Sequence, residues 1–474
     1  MDIISHFYGI LKENFNKYLN NSFLESNFWS KSSNIDNYID FMSNLDKFNY
    51  FFMTNAIKSY FEYIDNIFFN SIYRKKNCIS KGFYKRTILT LFGEITFKRR
   101  YYFDKTNDER FFFTDFYLNL PKRKYFDPFI CADIIEEAAS SSYSKTAKTI
   151  ASKVGMRINN NIFISRASAR NIVMNFNIEE DNYEKEKKRI EKLYIMLDEK
   201  FVGSQFNNNQ DHMIKAAVLF ENTELVYKYK KKENSMDRYK LIGSHTCASI
   251  DNELLNDTVN YIYNTYDTDY LKEINFMGDC ALWIKNFHKS NWFKFDNNTE
   301  VNFSMDGFHF SQALGNLTTQ KYKDVYNALY EYVARDNKED FTRLCNEFLD
   351  CFPERKETIE NKRDYILNNW NERQFYQNHS YLKCSMESHI SHIFADIFTS
   401  RPKAYSKKGL SQLLKLRLLK VNNKNIKEKY FNTFRKKESR INQSHTYYNY
   451  YDNYYDNTLL QFLQFNKDNY INII

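Results

Sequence analysis

Turn formers are scarce in this chain: 474 residues include only 10 glycines and 4 prolines, against 43 phenylalanines and 38 tyrosines. With Asn, Lys and Ile also heavily used, the bias fits codons from an AT-rich genome, so a single aromatic residue carries little functional weight. The seven cysteines, Cys78, Cys131, Cys247, Cys280, Cys345, Cys351 and Cys384, form no CxxC pair. That argues against a zinc ribbon or disulfide framework and fits reduced thiols. No apolar run approaches the roughly 20 residues needed to span a bilayer. The N-terminus lacks the basic-then-apolar pattern of a signal peptide, so a cytoplasmic protein without a membrane partner is expected. GxxxxGK[ST], HExxH and GxSxG are all missing, which removes the usual support for ATP-driven, zincin and nucleophile-elbow chemistry. No nucleotide cofactor is expected.

What is present is an ordinary soluble composition, 43% hydrophobic and 27% charged, long enough for two to four domains. The net charge of +9 suits a polyanionic partner without proving one.

Residues 1–125 read as a helical N-terminal region containing a β-hairpin. Apolar residues recur at helical spacing from Phe51 to Phe69. In 84–103, β-branched and aromatic residues flank a turn at Phe92-Gly93-Glu94. Lys85, Arg86, Lys98, Arg99 and Arg100 flank the hairpin and could lie against phosphates; a solvated face is the plainer alternative. Residues 126–190 read as helical. Ser141 is placed to cap a helix bearing Tyr143, Ala147, Ile150 and Val154 and ending at Gly155, and Ser165 to cap one bearing Arg166 and Arg170. This is a candidate helix-turn-helix, although its connection exceeds the usual three or four residues; an ordinary helical hairpin is the alternative.

The pattern then changes to α/β. Residues 191–310 form the first part of a core: strands at 193–197, 213–220 and 224–229, a helix capped by Asp251, a strand at 274–277 and another at 301–305. Residues 311–379 read as inserted amphipathic helices, and 380–400 as a core helix with Met386, Ile390, Ile393, Phe394 and Ile397 on its apolar face. Residues 401–474 are a Lys/Arg-dense segment followed by a Tyr/Asn-rich tail without assigned structure.

Three carboxylates stand out by position. Asp198 ends the first core strand, Asp279 ends the strand at 274–277, and Glu387 lies in the first turn of the late helix. Strand ends in an α/β sheet project into a shared crevice. Adjacent first and fourth strands would bring Asp198 and Asp279 together, and a packed helix could add Glu387. Carboxylates at close quarters repel, and hard cations such as Mg²⁺ or Mn²⁺ relieve that repulsion. Two such ions about 4 Å apart can activate a water or 3′-hydroxyl on a phosphodiester. Each acid taken singly is more often a turn or cap residue. Glu199, beside Asp198, should point to the opposite face and form a salt bridge or support the acids. His389, His392 and Asp396 could ligate a metal at helical spacing, but hydrogen bonding to the acids is the better reading.

Several segments, in order, resemble bacterial insertion-sequence transposases of the ISLre group, formerly an uncharacterised protein family: RTILTLFGEITFKRRYY (86–102), ADIIEEAASSSYSKTA (132–147), MLDEKFVGSQ (196–205), MGDCALWIK (277–285), MDGFHFSQAL (305–314) and MESHISHIFADIFTSRPKAYSKKGL (386–410). That group is similar to Mutator-type DDE transposases. The resemblance covers roughly residues 80–420 and implies an RNase H-like mixed-sheet core with a helical insertion. It implies Asp198, Asp279 and Glu387 as metal-binding catalytic acids, with Asp306 and His309 flanking them in the family's spacing. DNA ends and target DNA become the expected partners, with a homo-oligomer and nucleoid association. The Tyr/Asn-rich tail departs from the family.

Metal-dependent strand cleavage and transfer is therefore the leading expectation. An RNase H-like nuclease without transposition is the alternative, followed by a non-catalytic DNA-binding derivative. DNA binding is expected to be divided between the N-terminal hairpin with the helices around Arg166 and Arg170, which would recognise element ends, and a basic grip including Arg401, Lys403, Lys407, Lys408, Lys415 and Arg417. Each phosphate contact contributes nearly one unit to the salt slope of binding. Replacing Lys407 and Lys408 by Ala should weaken binding to all DNA alike and flatten that slope. Replacing Arg166 or Arg170 should reduce discrimination between element ends and random duplex. Titrations of both DNAs at several salt concentrations check this, and an unchanged slope or unchanged discrimination removes the corresponding half.

Overall fold

In the computed structural model, the structure describes residues 35–118, 120, 122–158, 162–178, 186–205, 211–227, 238–295, 299–319, 321–372, 389–399, 403–433 and 435, together with 9 and 12. The chain divides into two compact units, Met1–Glu179 with Asn425–Ile474, and Glu180–Lys424. The segments expected at 1–125 and 126–190 thus belong mainly to one unit. The expected 401–474 segment is split, because its first helix packs with the second unit.

In the first unit a long helix α1 (Ile35–Asn70) and a short α2 (Ile72–Asn77) precede three antiparallel strands, β1 (Cys78–Thr90), β2 (Gly93–Asp104) and β3 (Glu109–Phe112). Strict alternation of buried and exposed residues along the first half of β2 marks a sheet with one covered face. That face carries Ile95 and Phe97, which with Ile88 of β1 pack on Ile57 and Phe61 of α1; beyond the alternating stretch Tyr102 packs on Ile64 and Phe68 in a second cluster. The hairpin turn is Leu91-Phe92, overlapping the expected Phe92-Gly93-Glu94 at Phe92, with Gly93 and Glu94 already in β2. Gly93 has φ +114°, a conformation that favours glycine, and a Cβ there would also displace the end of the Tyr50 ring.

The basic residues of the hairpin are largely spent inside the unit. After the short helix α3 (Phe113–Tyr117) begins, Asp115 takes ion pairs from buried Arg86 (2.7 Å) and Arg99 (3.0 Å). Arg100 pairs with Asp65 of α1 at 2.7 Å. Only Lys85 and Lys98 of the five are exposed, which narrows the phosphate-facing role expected for this ribbon.

Helices α4 (Pro128–Ala138), α5 (Tyr143–Ile158) and α6 (Arg166–Met174) pack on one another. Ser165 caps α6 as expected, accepting from Ser168 N at 2.9 Å. The start and end of α5 differ from expectation. Ser142 accepts from Lys145 N, while Ser141 donates to Glu137, and the helix runs through Gly155 to Ile158. Arg166 and Arg170 are exposed on α6.

The second unit is built on a five-stranded sheet of β4 (Lys192–Val202), β5 (His212–Phe220), β8 (His245–Ser249), β9 (Glu273–Gly278) and β10 (Glu300–Met305), in the order β10-β9-β4-β5-β8. β4 pairs antiparallel with β5, β5 antiparallel with β8, β4 parallel with β9 and β9 parallel with β10. Only β5 therefore runs against the other four. Leu193–Leu197 of β4 are all buried, as a central strand covered on both faces requires. Leu193, Ile195 and Leu197 join one core with α7 (Leu254–Thr265), α8 (Leu282–His288) and the helical insertion. A π-helical stretch, Ser391–Thr399, packs against β4, and α13 (Lys407–Val421) against β8.

Two readings of this region are corrected. The expected strand at 224–229 is not part of the sheet: β6 (Asn222–Tyr227) pairs with β7 (Arg238–Ile242) in a separate ribbon, and β8 supplies the third sheet strand. Asp251 does not cap α7, whose N-cap is Glu253; its carboxylate pairs with Lys407 instead. The insertion is helical as expected, in α9 (Gly307–Thr318), α10 (Lys323–Ala334), α11 (Lys338–Cys351) and α12 (Lys356–Asn368). No described helix is long and apolar enough to cross a membrane.

Asp127, the N-cap of α4, accepts from Ile130 N at 2.7 Å. Burial pushes its carboxyl up to about 6, against the opposing backbone hydrogen bonds of Ile130 and Phe129. A folded-state pKa above the unfolded one gives stability that is present below about pH 4 and lost as pH rises through 6. Asp127→Asn keeps the capping acceptor without the charge. It should be more stable than the parent by about 1–3 kcal/mol at pH 7.5, with the advantage vanishing near pH 4. Denaturant melts at both pH values check this, and an equal difference at both would contradict it.

Candidate metal centre

Parallel pairing sets the level of the acids. Met196 of β4 is opposite Met277 of β9, so two residues further Asp198 and Asp279 come level. Met305 of β10 is opposite Gly278, which puts Asp306 beside Asp279 in turn. β4 does not end at Asp198, as expected, but continues to Val202 alongside β5, with Asp198 opposite Ala216. β9 stops at Gly278, so the sheet edge opens between these strands.

Carboxylate oxygens of Asp198, Glu199 and Asp279 all lie within 4.8 Å of one another. Glu199 is thus not turned away from the acids. Its Oε2 accepts from the indole of Trp283 on α8 at 2.5 Å, and Lys215 lies opposite it on β5. A glutamate carboxylate sits beyond two methylenes, and past Met196 no residue of β9 pairs with β4, so its reach overrides the nominal alternation. The clue was present in Trp283, four residues after Asp279, but only packing of α8 brings it there.

Burial is the largest influence pushing Asp198 up to about 6; Asp279 and Glu199 add to the rise, while a hydrogen bond from Glu199 N (2.7 Å) and nearby His309 oppose it. Burial likewise raises Glu199, against the Trp283 hydrogen bond. Carboxylates that resist ionising together are relieved by a cation. The donor set is all oxygen, with no thiolate or imidazole, which fits Mg²⁺ or Mn²⁺ better than zinc.

The turn carrying Asp279 is held at several points. Gly278 leaves a tight fit for a Cβ, which would sit 3.0 Å from Ile284 and 3.1 Å from the Leu197 carbonyl. Asp306 N donates to the Gly278 carbonyl at 2.8 Å, and Ala281 N to Asp279 Oδ1 at 2.9 Å. Cys280 between them has φ +68°, a left-handed conformation that costs a non-glycine residue energy. Tyr365 of α12 donates to the Asp279 carbonyl at 2.6 Å. Burial holds its phenol above the ordinary range, so it remains a donor.

Asp306 is buried and caps α9, accepting from Phe308 N at 3.0 Å. His309 Nε2 stands 3.9 Å from its Oδ2. Both flank the three acids without joining the group. His389, His392 and Asp396 form no metal-binding group among the described residues. Glu387 and Arg401 lie outside the described residues. Arg417 donates to the carbonyls of Ile393 and His392, both at 2.8 Å, and Lys403 to that of Ile397. Arg417 and Lys403 are thus engaged within the unit, whereas Lys407, though paired with Asp251, is exposed, as are Lys408 and Lys415.

A family model matches residues 40–434, the greater part of the chain. The chain belongs to Uncharacterised protein family (UPF0236). Its relatives include UPF0236 protein TTE0402 of Caldanaerobacter subterraneus subsp. tengcongensis, 25% identical over 382 residues, which are 79% of this chain and 72% of that protein. Two more from the same strain are also 25% identical over 79% of this chain, each covered over 75% of its length. The name of one joins four TTE labels and that of the other eleven.

Metal-free protein titrated with Mn²⁺ in the absence of DNA should bind it and melt at higher temperature, by mass action on the folded state. Asp279→Asn should lower the affinity by about tenfold or more, because one oxygen donor of three is neutralised. His389→Ala should leave it unchanged. Equal affinity in the parent and Asp279→Asn would remove the centre.

Proposed function

We propose that this UPF0236 chain is a DDE-type transposase with an RNase H-like core, cutting and rejoining DNA in a reaction dependent on Mg²⁺ or Mn²⁺. The observation that carries the reading is the meeting of Asp198, within β4, and Asp279, just past the end of the parallel neighbour β9. The sheet order β10-β9-β4-β5-β8, with only β5 reversed, supports the RNase H-like reading. Glu387, outside the described residues, is retained as a third acid on the family resemblance alone.

When bound, paired hard cations would activate a water or 3′-hydroxyl and stabilise the leaving oxygen of a phosphodiester. Asp198, Asp279 and Glu199 would hold them. Trp283 keeps the Glu199 carboxylate aimed at the group, and Asp306 fixes the strand end beside it. His309 is placed to donate a hydrogen bond toward a phosphate or a carboxylate. Arg166 and Arg170 in one unit, and Lys408 and Lys415 in the other, are the proposed DNA contacts.

Transposition is favoured over simple cleavage by the relatives. Read as gene labels, the joined names describe one protein at four and at eleven places in one genome, which is what a mobile element leaves behind.

Purified protein with Mg²⁺ should cut DNA carrying the sequences that flank its gene and join those ends to a target plasmid. Asp198→Asn and Asp279→Asn should each lower cutting by more than about a hundredfold while binding the same DNA. Cutting retained in Asp279→Asn would move the second acid to Asp306. Cutting without joining, indifferent to the flanking sequence, would favour a nuclease.

A further inference from the structure

The proposed function gives the helical insertion no task, yet its last helix touches the acid group. Tyr365 of α12 reaches the Asp279 carbonyl at 2.6 Å, in the turn where Cys280 is held left-handed at φ +68°. That turn also determines where the Asp279 carboxylate points, since Ala281 N holds its Oδ1 at 2.9 Å. A non-glycine residue keeps such a conformation only when its surroundings over-determine it. The neighbours on both sides are committed: a Cβ at Gly278 would crowd Ile284 and the Leu197 carbonyl, and the Gly278 carbonyl accepts from Asp306 N. The tyrosine is itself anchored. Ile359, Ile366 and Trp370 share one core with Ile284 and Phe287 of α8, and Lys285 faces Glu372 at 3.5 Å.

We propose that Tyr365 is a positioning residue for the acid group: its hydroxyl clamps the strained Asp279–Cys280 turn and so aims the Asp279 carboxylate toward Asp198 and Glu199. The insertion is then a structural arm of the site rather than a separate module. The inference deepens the proposed function and rests on it for the metal.

Tyr365→Phe removes one hydroxyl and keeps the ring in place. Residues that orient metal ligands typically cost 10–100-fold in affinity or activity when changed. Mn²⁺ affinity of the DNA-free protein should therefore fall by about tenfold or more. A second readout needs no metal. Cys280 is buried, and release of the turn should raise its alkylation by iodoacetamide severalfold, as mapped by peptide mass spectrometry. Cys345, fully buried on α11, serves as the control and should keep its rate. Faster alkylation at Cys280 alone, with weaker Mn²⁺ binding, is the expected result. Unchanged Cys280 alkylation overturns the inference, as does an equal rise at Cys345, which would mark general loosening. A parent protein that binds no Mn²⁺ overturns the metal reading instead, and the Cys280 rate still decides whether Tyr365 holds the turn.

Discussion

Parallel pairing of β9 between β4 and β10 is the constraint on which the rest of the second unit depends. It places Asp198, Asp279 and Asp306 at one level on three neighbouring strands. Three acids so arranged would be unfavourable without different employment for each. Asp306 turns inward to cap α9, whereas Asp198 and Asp279 remain at the open edge, where Glu199 joins them. The raised carboxyls of Asp198 and Glu199 express the residual cost, which burial dominates.

That arrangement needs a rigid platform, and the packing supplies it on both sides of the sheet. On one face, Leu193, Ile195 and Leu197 share a core with α7, α8 and all four insertion helices. Over the sheet also lie the π-helical stretch and α13, tied by Arg417 to the carbonyls of His392 and Ile393. Basic residues that a linear reading would offer to DNA are here structural donors. The first unit does the same with Arg86, Arg99 and Arg100, whose burial beside Asp115 and Asp65 fastens the hairpin to its helices. A lysine or arginine count overstates the cationic surface wherever such pairs form. Arg166, Arg170, Lys85, Lys98, Lys407, Lys408 and Lys415 are among the cations that stay exposed.

The sequence by itself determined much of the local structure. The hairpin around Phe92-Gly93, the Ser165 cap and the strands ahead of Asp198 and Asp279 were legible because each rests on short-range chemistry: a glycine with positive φ, a hydroxyl three residues from an amide, an apolar run closed by an acid. Tertiary structure decided what depends on distant partners. His245–Ser249 has too few apolar residues to announce a sheet strand, and it becomes one by pairing with β5, while Asn222–Tyr227, the better strand on paper, leaves for a ribbon with β7. Glu199 joins the acids although alternation sends it away, because β9 stops short and Trp283 draws it in. Tyr365 reaches Asp279 across 86 residues of chain. Side-chain periodicity reports which face a residue starts from, but a long side chain at an open strand end goes where its hydrogen-bond partner lies, and that partner is supplied only by the packed fold.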